Sequence, residues 1–172
     1  MIEFQKYDSS LHRTEFVEMN EAYLNWLRDV YLEQFGLDML DIIGSIDEYV
    51  QNSLPMLESL VPPQSIIYLV IFDDVIVGMG GLRKLTEDVV EVKRMYVKPE
   101  FRGKGLGKSL LVKLLETAKN CGYSKVCLDT GVFMKAAQKV YRSAGFYDIE
   151  EYPESEVPKE VRHNWIYMEK IL

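Results

Sequence analysis

Seven consecutive residues, Arg102-Gly103-Lys104-Gly105-Leu106-Gly107-Lys108, set three glycines among three cations. A strand-like run from Val89 to Val97 stops just ahead of them at Lys98-Pro99, and an apolar helical pattern starts directly behind. The order strand, proline stop, glycine turn, helix gathers unpaired backbone N–H groups and the positive end of a helix dipole at one point. Phosphate or pyrophosphate is the group that such a point binds. Glycines let that group approach the backbone without a Cβ in the way. The chemistry on offer is therefore the holding of a phosphate-bearing cofactor.

Three kinds of glycine-rich loop compete for this stretch. A nucleoside-triphosphate loop needs G-x-x-x-x-G-K-[ST]. Gly107-Lys108-Ser109 supplies its end, and Val126 to Asp129 could imitate a magnesium-binding strand, but the first glycine of the motif falls on Arg102. A dinucleotide fingerprint needs G-x-G-x-x-G in a first βαβ unit. Here Gly107 comes one residue too early, and the loop lies late in the chain. The spacing Arg102-x-x-Gly105-x-Gly107 instead matches [RQ]-x-x-G-x-[GA]. With the Glu91–Val97 strand, the Lys98–Phe101 connection and the later Tyr141-x-x-x-Gly145-Phe146, it resembles the GNAT superfamily of acetyl-CoA-dependent N-acetyltransferases over roughly residues 66 to 148.

That resemblance implies a fold and a set of roles. The fold is a mixed α/β one, a central and mostly antiparallel sheet with helices on both faces. In it two parallel strands splay apart to admit the pantetheine arm of acetyl-CoA; here they would be Val89–Val97 and Lys125–Thr130. Met95, Tyr96 and Val97 would hold that arm through backbone groups, with the Val97 N–H as donor to the thioester oxygen. Arg102, Gly103, Lys104, Gly105, Leu106, Gly107 and Lys108 would wrap the pyrophosphate. Tyr141 would be the general acid and Glu91 the general base. Strand alternation puts Glu91, Lys93, Met95 and Val97 on one face. Many relatives carry an asparagine seven residues before the tyrosine, where this chain has Met134; the contact is either lost or made by another group, such as the hydroxyl of Thr130. The implied activity is acetyl transfer from acetyl-CoA to a primary amine. The alternative is a non-catalytic acyl-CoA-binding regulator of the same fold.

Charge narrows the partners. Net charge is −7, against general nucleic-acid binding. Residues 1–64 hold twelve acidic side chains against Lys6, Arg13 and Arg28. Lys93, Arg94, Lys98, Arg102, Lys104, Lys108 and Lys113 face only Glu100 between positions 93 and 113, as a polyanionic cofactor would require. Asp38 and Asp41 are expected to draw a small cationic amine into a pocket shaped by the N-terminal segment. Cys121 and Cys127 form no C-x-x-C and have no histidine near them, so reduced structural thiols and no metal are expected. Without a signal peptide or an apolar run of spanning length, a cytoplasmic protein is expected, with no membrane contact and a homodimer left open.

The elements that must position these residues follow from periodicity. A short strand at 2–6 precedes a helix from Ser9, with Phe16, Met19, Tyr23, Trp26, Leu27, Val30 and Tyr31 at helical spacing. Ser45 starts a second helix that Pro55 disturbs. Ile66–Phe72 and Val75–Leu82 form a hairpin about Asp73-Asp74. A helix runs from Leu106 to Gly122, another over 133–143, and strands lie near 146–149 and 164–171. The acidic stretch Glu150–Lys159, with Pro153 and Pro158, is expected to be a loop. The chain is expected to be a single domain over 1–172, with its N-terminal helices, residues 8–60, shaping the acceptor site.

Overall fold

The computed structural model describes all of residues 1–172. Its centre is a seven-stranded sheet. The strands are β1 (Ile2–Lys6), β2 (Ile66–Phe72), β3 (Val75–Lys84), β4 (Val89–Val97), β5 (Lys125–Gly131), β6 (Tyr147–Ile149) and β7 (Trp165–Ile171), in the spatial order β1-β2-β3-β4-β5-β7-β6. Every neighbouring pair is antiparallel except β4 and β5. The fold is the mixed α/β arrangement implied by the sequence.

Helices cover both faces. On one side lie α1 (Ser9–Phe35), the single-turn α2 (Leu40–Ile43) and α3 (Ile46–Glu58); on the other lie α4 (Leu106–Asn120) and α5 (Lys135–Ser143). Phe16, Leu27, Tyr31, Val50 and Leu54 pack on Leu69, Met79, Tyr96 and Cys127. Leu106, Leu110, Leu114 and Tyr141 pack on Val90, Val92, Val126 and Leu128. No helix is long and apolar enough to cross a membrane.

Local chemistry accounts for the boundaries. Asp8 caps α1 by accepting from the Ser10 N–H at 2.8 Å, and Gly36 ends it in the left-handed region. Asp73 and Asp74 both have positive φ, the geometry of a two-residue hairpin turn. Contrary to the expected disturbance, α3 runs through Pro55 to Glu58. Gln51, whose carbonyl loses its helical donor to the proline, is exposed, so water can serve it.

Two departures from regular pairing shape the middle of the sheet. β4 and β5 are paired only at Val89↔Lys125, Val90↔Val126 and Glu91↔Cys127, after which they part. Just beyond, the β3–β4 register jumps from Gly81↔Lys93 to Met79↔Tyr96, so that two steps on β3 match three on β4. The extra residue is accommodated at Arg94, whose φ is +53°. Such a bulge bends and twists its strand. It also overturns the expected alternation. Met95 and Val97 pack on the α4 side, whereas Tyr96 and Cys127 belong to the α1 side together with the cavity wall near Lys93. Gly80 lies opposite the bulge, where a Cβ would come within 2.9 Å of Leu110 in α4.

Candidate active site

The parting of β4 from β5 opens a cavity of about 130 Å³ that passes through the sheet. On the α4 side stand Met95 and Tyr141; on the α1 side are Tyr23, Leu27, Tyr49, Met134 and Trp165, with Lys93, Arg94, Asp129 and Glu156 also in the lining.

Outside the cavity lies the glycine turn. Gly103 and Gly105 have φ of +78° and +80°, and a Cβ on either would meet nothing within 4 Å. The N–H groups of residues 103 to 108 donate to no acceptor in the protein: the flanking Arg102 N–H bonds Pro99, and the next bond of α4 runs from Ser109 to Gly105. Leu106 anchors the turn in the core while Arg102, Lys104 and Lys108 are exposed. Open, unpaired donors at a helix start fit an anionic diphosphate.

Val97 faces the gap. Lys98 N–H bonds Val77 C=O on β3 at 2.9 Å, so by strand alternation the N–H and C=O of Val97 point the other way. That carbonyl accepts from Arg102 Nε at 2.9 Å, and the Arg102 guanidinium lies 4.7 Å over the Trp26 ring and 5.5 Å over Tyr96. Tyr96 turns its side chain into the core under α1, so only its backbone is available to a ligand.

Tyr141 is buried and its hydroxyl has only one neighbour of note, the Met95 sulfur at 4.0 Å. Burial raises its pKa far above the ordinary phenol value, so it carries its proton and lacks a strong acceptor for it. Thr130, expected to replace a missing asparagine, directs its hydroxyl at the Met134 sulfur, 3.6 Å away.

Glu91 stands apart from the cavity. It is fully buried, with Arg83 Nε at 2.8 Å and Lys93 Nζ at 3.6 Å from one oxygen, and the Tyr152 hydroxyl donating to the other at 2.6 Å. Both oxygens of this carboxylate are thus already engaged, one by cations and one by a hydrogen bond. Glu91, expected as the general base, is not among the residues that line the cavity.

Two carboxyls do line the cavity, Asp129 and Glu156, and Asp129 is the one with no cation paired to it. Burial raises its pKa to about 6, against the pull of Lys93. Tyr152 Oη lies 3.4 Å from Asp129 Oδ2. The single phenolic proton is directed at Glu91, so the Asp129 contact is best made when Asp129 itself carries a proton. Glu156 completes the wall. It bonds Lys93 at 2.6 Å and Arg83 at 3.1 Å, and these cations hold its carboxyl below the ordinary value despite burial.

Sequence reasoning missed Asp129, Tyr152, Glu156 and the cavity-facing role of Lys93 and Arg94. Lys93 and Arg94, expected among the cations that meet a polyanionic cofactor, line this cavity. Asp38 corrects another expectation. Arg28 grips both its oxygens at 2.7 and 2.6 Å, lowering its pKa to about 2, and neither Asp38 nor Asp41 lines the cavity. The aromatic Tyr152 and apolar Val157 inside an acidic loop were the available signal that this segment packs inward.

A sequence model of the acetyltransferase (GNAT) family matches residues 20–146. An uncharacterised N-acetyltransferase of Schizosaccharomyces pombe is 32% identical over 141 residues, covering 80% of each chain. YjgM, an uncharacterised N-acetyltransferase of Escherichia coli, is 35% identical over 51% of this chain and 54% of its own length. Human N-acetylaspartate synthetase is 43% identical over 86 residues, 49% of this chain and 28% of that protein. The chain thus spans about half of one of these relatives and little over a quarter of another. Among solved structures, an N-acetyltransferase from Thermoplasma acidophilum in complex with coenzyme A aligns over 100% of this chain and 99% of its own, with a TM-score of 0.71. At 18% identity that likeness speaks for the fold.

Proposed function

The chain belongs to the acetyltransferase (GNAT) family and is an acyltransferase, and from that premise we propose that it moves the acetyl group of acetyl-CoA to the primary amine of a small acceptor by direct attack. The observation that carries this reading is the cavity through the β4–β5 gap, with a proton-bearing phenol at one end and a carboxyl of pKa about 6 on its wall.

The N–H groups of residues 103 to 108 would hold the pyrophosphate. The backbone of Met95 and Val97 would hold the pantetheine, with the Val97 N–H serving the thioester oxygen. Acetyl-CoA supplies an activated acetyl group. The residues of this chain then manage two protons. An amine arrives largely as an ammonium ion and must lose a proton before it can attack. Asp129 Oδ2 takes it, and at neutral pH most Asp129 carboxyls are ionised and ready. Tyr141 Oη gives its proton to the leaving sulfur, the step for which its raised pKa keeps it protonated, and the proton that the acetylated nitrogen sheds restores the phenol. Glu91 is a positioning residue in this scheme. It anchors Tyr152 against Asp129 and, with Arg83 and Lys93, fixes the 150–158 loop.

Screening free CoA release against a panel of amines, with the product confirmed by mass, tests the reading. An acetylated amine and stoichiometric CoA are expected. Tight acetyl-CoA binding with no turnover of any amine would replace it with the non-catalytic regulator.

A further inference from the structure

Four charged side chains line the cavity, and three of them are accounted for. Lys93 is paired with Glu156 at 2.6 Å and lies 3.6 Å from Glu91. Glu156 is shared between Lys93 and Arg83. Asp129 is the base of the proposed reaction. Arg94 alone makes no ion pair and no hydrogen bond within the protein; its nearest aromatic neighbour is the Tyr23 ring, 5.9 Å from the guanidinium carbon. It also occupies the most unusual backbone position in the strand, the bulge with φ +53°. A bulky residue other than glycine in that region is costly by about 1–2 kcal/mol, and such outliers point to a function that requires the side chain's direction. Bulges re-aim side chains in this way.

We propose that Arg94 binds a carboxylate of the acceptor, so that the substrate is a small zwitterionic amine of the amino-acid class. The inference rests on the acetyltransfer reading of the same cavity. A guanidinium offers a carboxylate two parallel hydrogen bonds in one plane. Within a single cavity Arg94 would hold the acceptor's anionic end and Asp129 its ammonium, which fixes the orientation of the nucleophile. Charge accounting agrees. When Asp129 has taken the proton, Arg83, Lys93 and Arg94 face only Glu91 and Glu156, and a substrate carboxylate restores the balance. A cavity of about 130 Å³ is on the scale of one that takes a benzene-sized guest, which suits an amino acid and not a folded partner. The expected cationic amine, by contrast, has no unpaired carboxylate to meet it except the base itself.

Matched triplets test the proposal: each free amino acid, its C-terminal amide, and the decarboxylated amine, for example alanine, alaninamide and ethylamine. The acid of at least one triplet should be preferred in kcat/KM by about tenfold to a hundredfold, the range for a hydrogen-bonded charge pair. Arg94→Asn is the informative variant, because asparagine tolerates positive φ. It should abolish that preference by raising KM for the acid, with acetyl-CoA affinity unchanged by calorimetry. Arg94→Lys should keep part of it. Amides and amines used as well as acids, or an Arg94→Asn variant that slows all three alike, would overturn the proposal while leaving acetyl transfer intact. Absence of turnover across the panel would sink both.

Discussion

The proposed reaction gives two side chains at the cavity opposite proton duties, and their surroundings suit them to it. Tyr141 holds its proton because burial penalises phenolate, while Asp129 keeps a carboxyl poised near pH 6. Tyr141→Phe should lower kcat by about 10²–10⁴-fold, with calorimetric acetyl-CoA affinity changed less than twofold to threefold, since only the donor atom is lost. The two acidic residues should separate cleanly. The rate kcat/KM is expected to rise with pH through about 6 as Asp129 ionises. In Asp129→Asn that inflection should vanish along with most of the activity. Glu91→Gln should keep the inflection and instead lower the melting temperature, because it leaves Arg83 and Lys93 short of a buried partner, a loss of about 3–5 kcal/mol for pairs of this kind. A Glu91→Gln profile without the inflection would return the base to Glu91. The sequence pointed to Glu91 and passed over Asp129. Their difference lies in Tyr152 and Arg83, which are 61 and 8 residues away from Glu91 along the chain.

Elements whose signals are local were legible in the sequence. The Asp73-Asp74 hairpin, the glycine turn and the apolar face of α4 each depend on residues within a few positions, and each stands where its pattern put it. Elements whose form depends on a distant neighbour were not. The bulge in β4 shows only against β3, and the 150–158 loop gains its role only by docking on Arg83 and Lys93. The glycine turn offers a test at this scale. Gly105→Val confuses two effects, since φ is +80° there. Gly107 is free of that problem: a Cβ would meet only the Met95 methyl, at 3.9 Å. Gly107→Val should therefore fold normally, with a melting temperature near that of the parent, yet bind CoA at least tenfold more weakly by calorimetry if the N–H groups of this turn cradle the pyrophosphate.

Across the whole molecule, the cavity sets stability against activity. Asp129 has its folded pKa raised above the ordinary carboxyl value by burial. Its contribution is therefore fully present at low pH, below about 4, and is lost as pH climbs through about 6, because the native state resists the ionised form. Asp129→Asn removes that penalty. The variant should be more stable than the parent above pH 7, by up to about 3 kcal/mol, and the gain should shrink to nothing near pH 4. Chemical denaturation at the two pH values measures it. Equal midpoint shifts at both would show that Asp129 ionises freely and that some other group times the proton.

The bulge at Arg94 has a topological consequence. Lys93 pairs with Gly81, Tyr96 with Met79 and Val97 with Gly78. Deleting Arg94 would let Met95 stand opposite Gly80 and would leave every remaining side chain of β4 on the face it already occupies. One codon thus separates an unbroken antiparallel ladder from an interrupted one. The shortened chain should fold, melt higher than the parent, and fail to bind CoA, because the straightened strand could close against β5 beyond Glu91. The acetyltransferase would then be a sheet held open by one residue too many, its gap curable by excision.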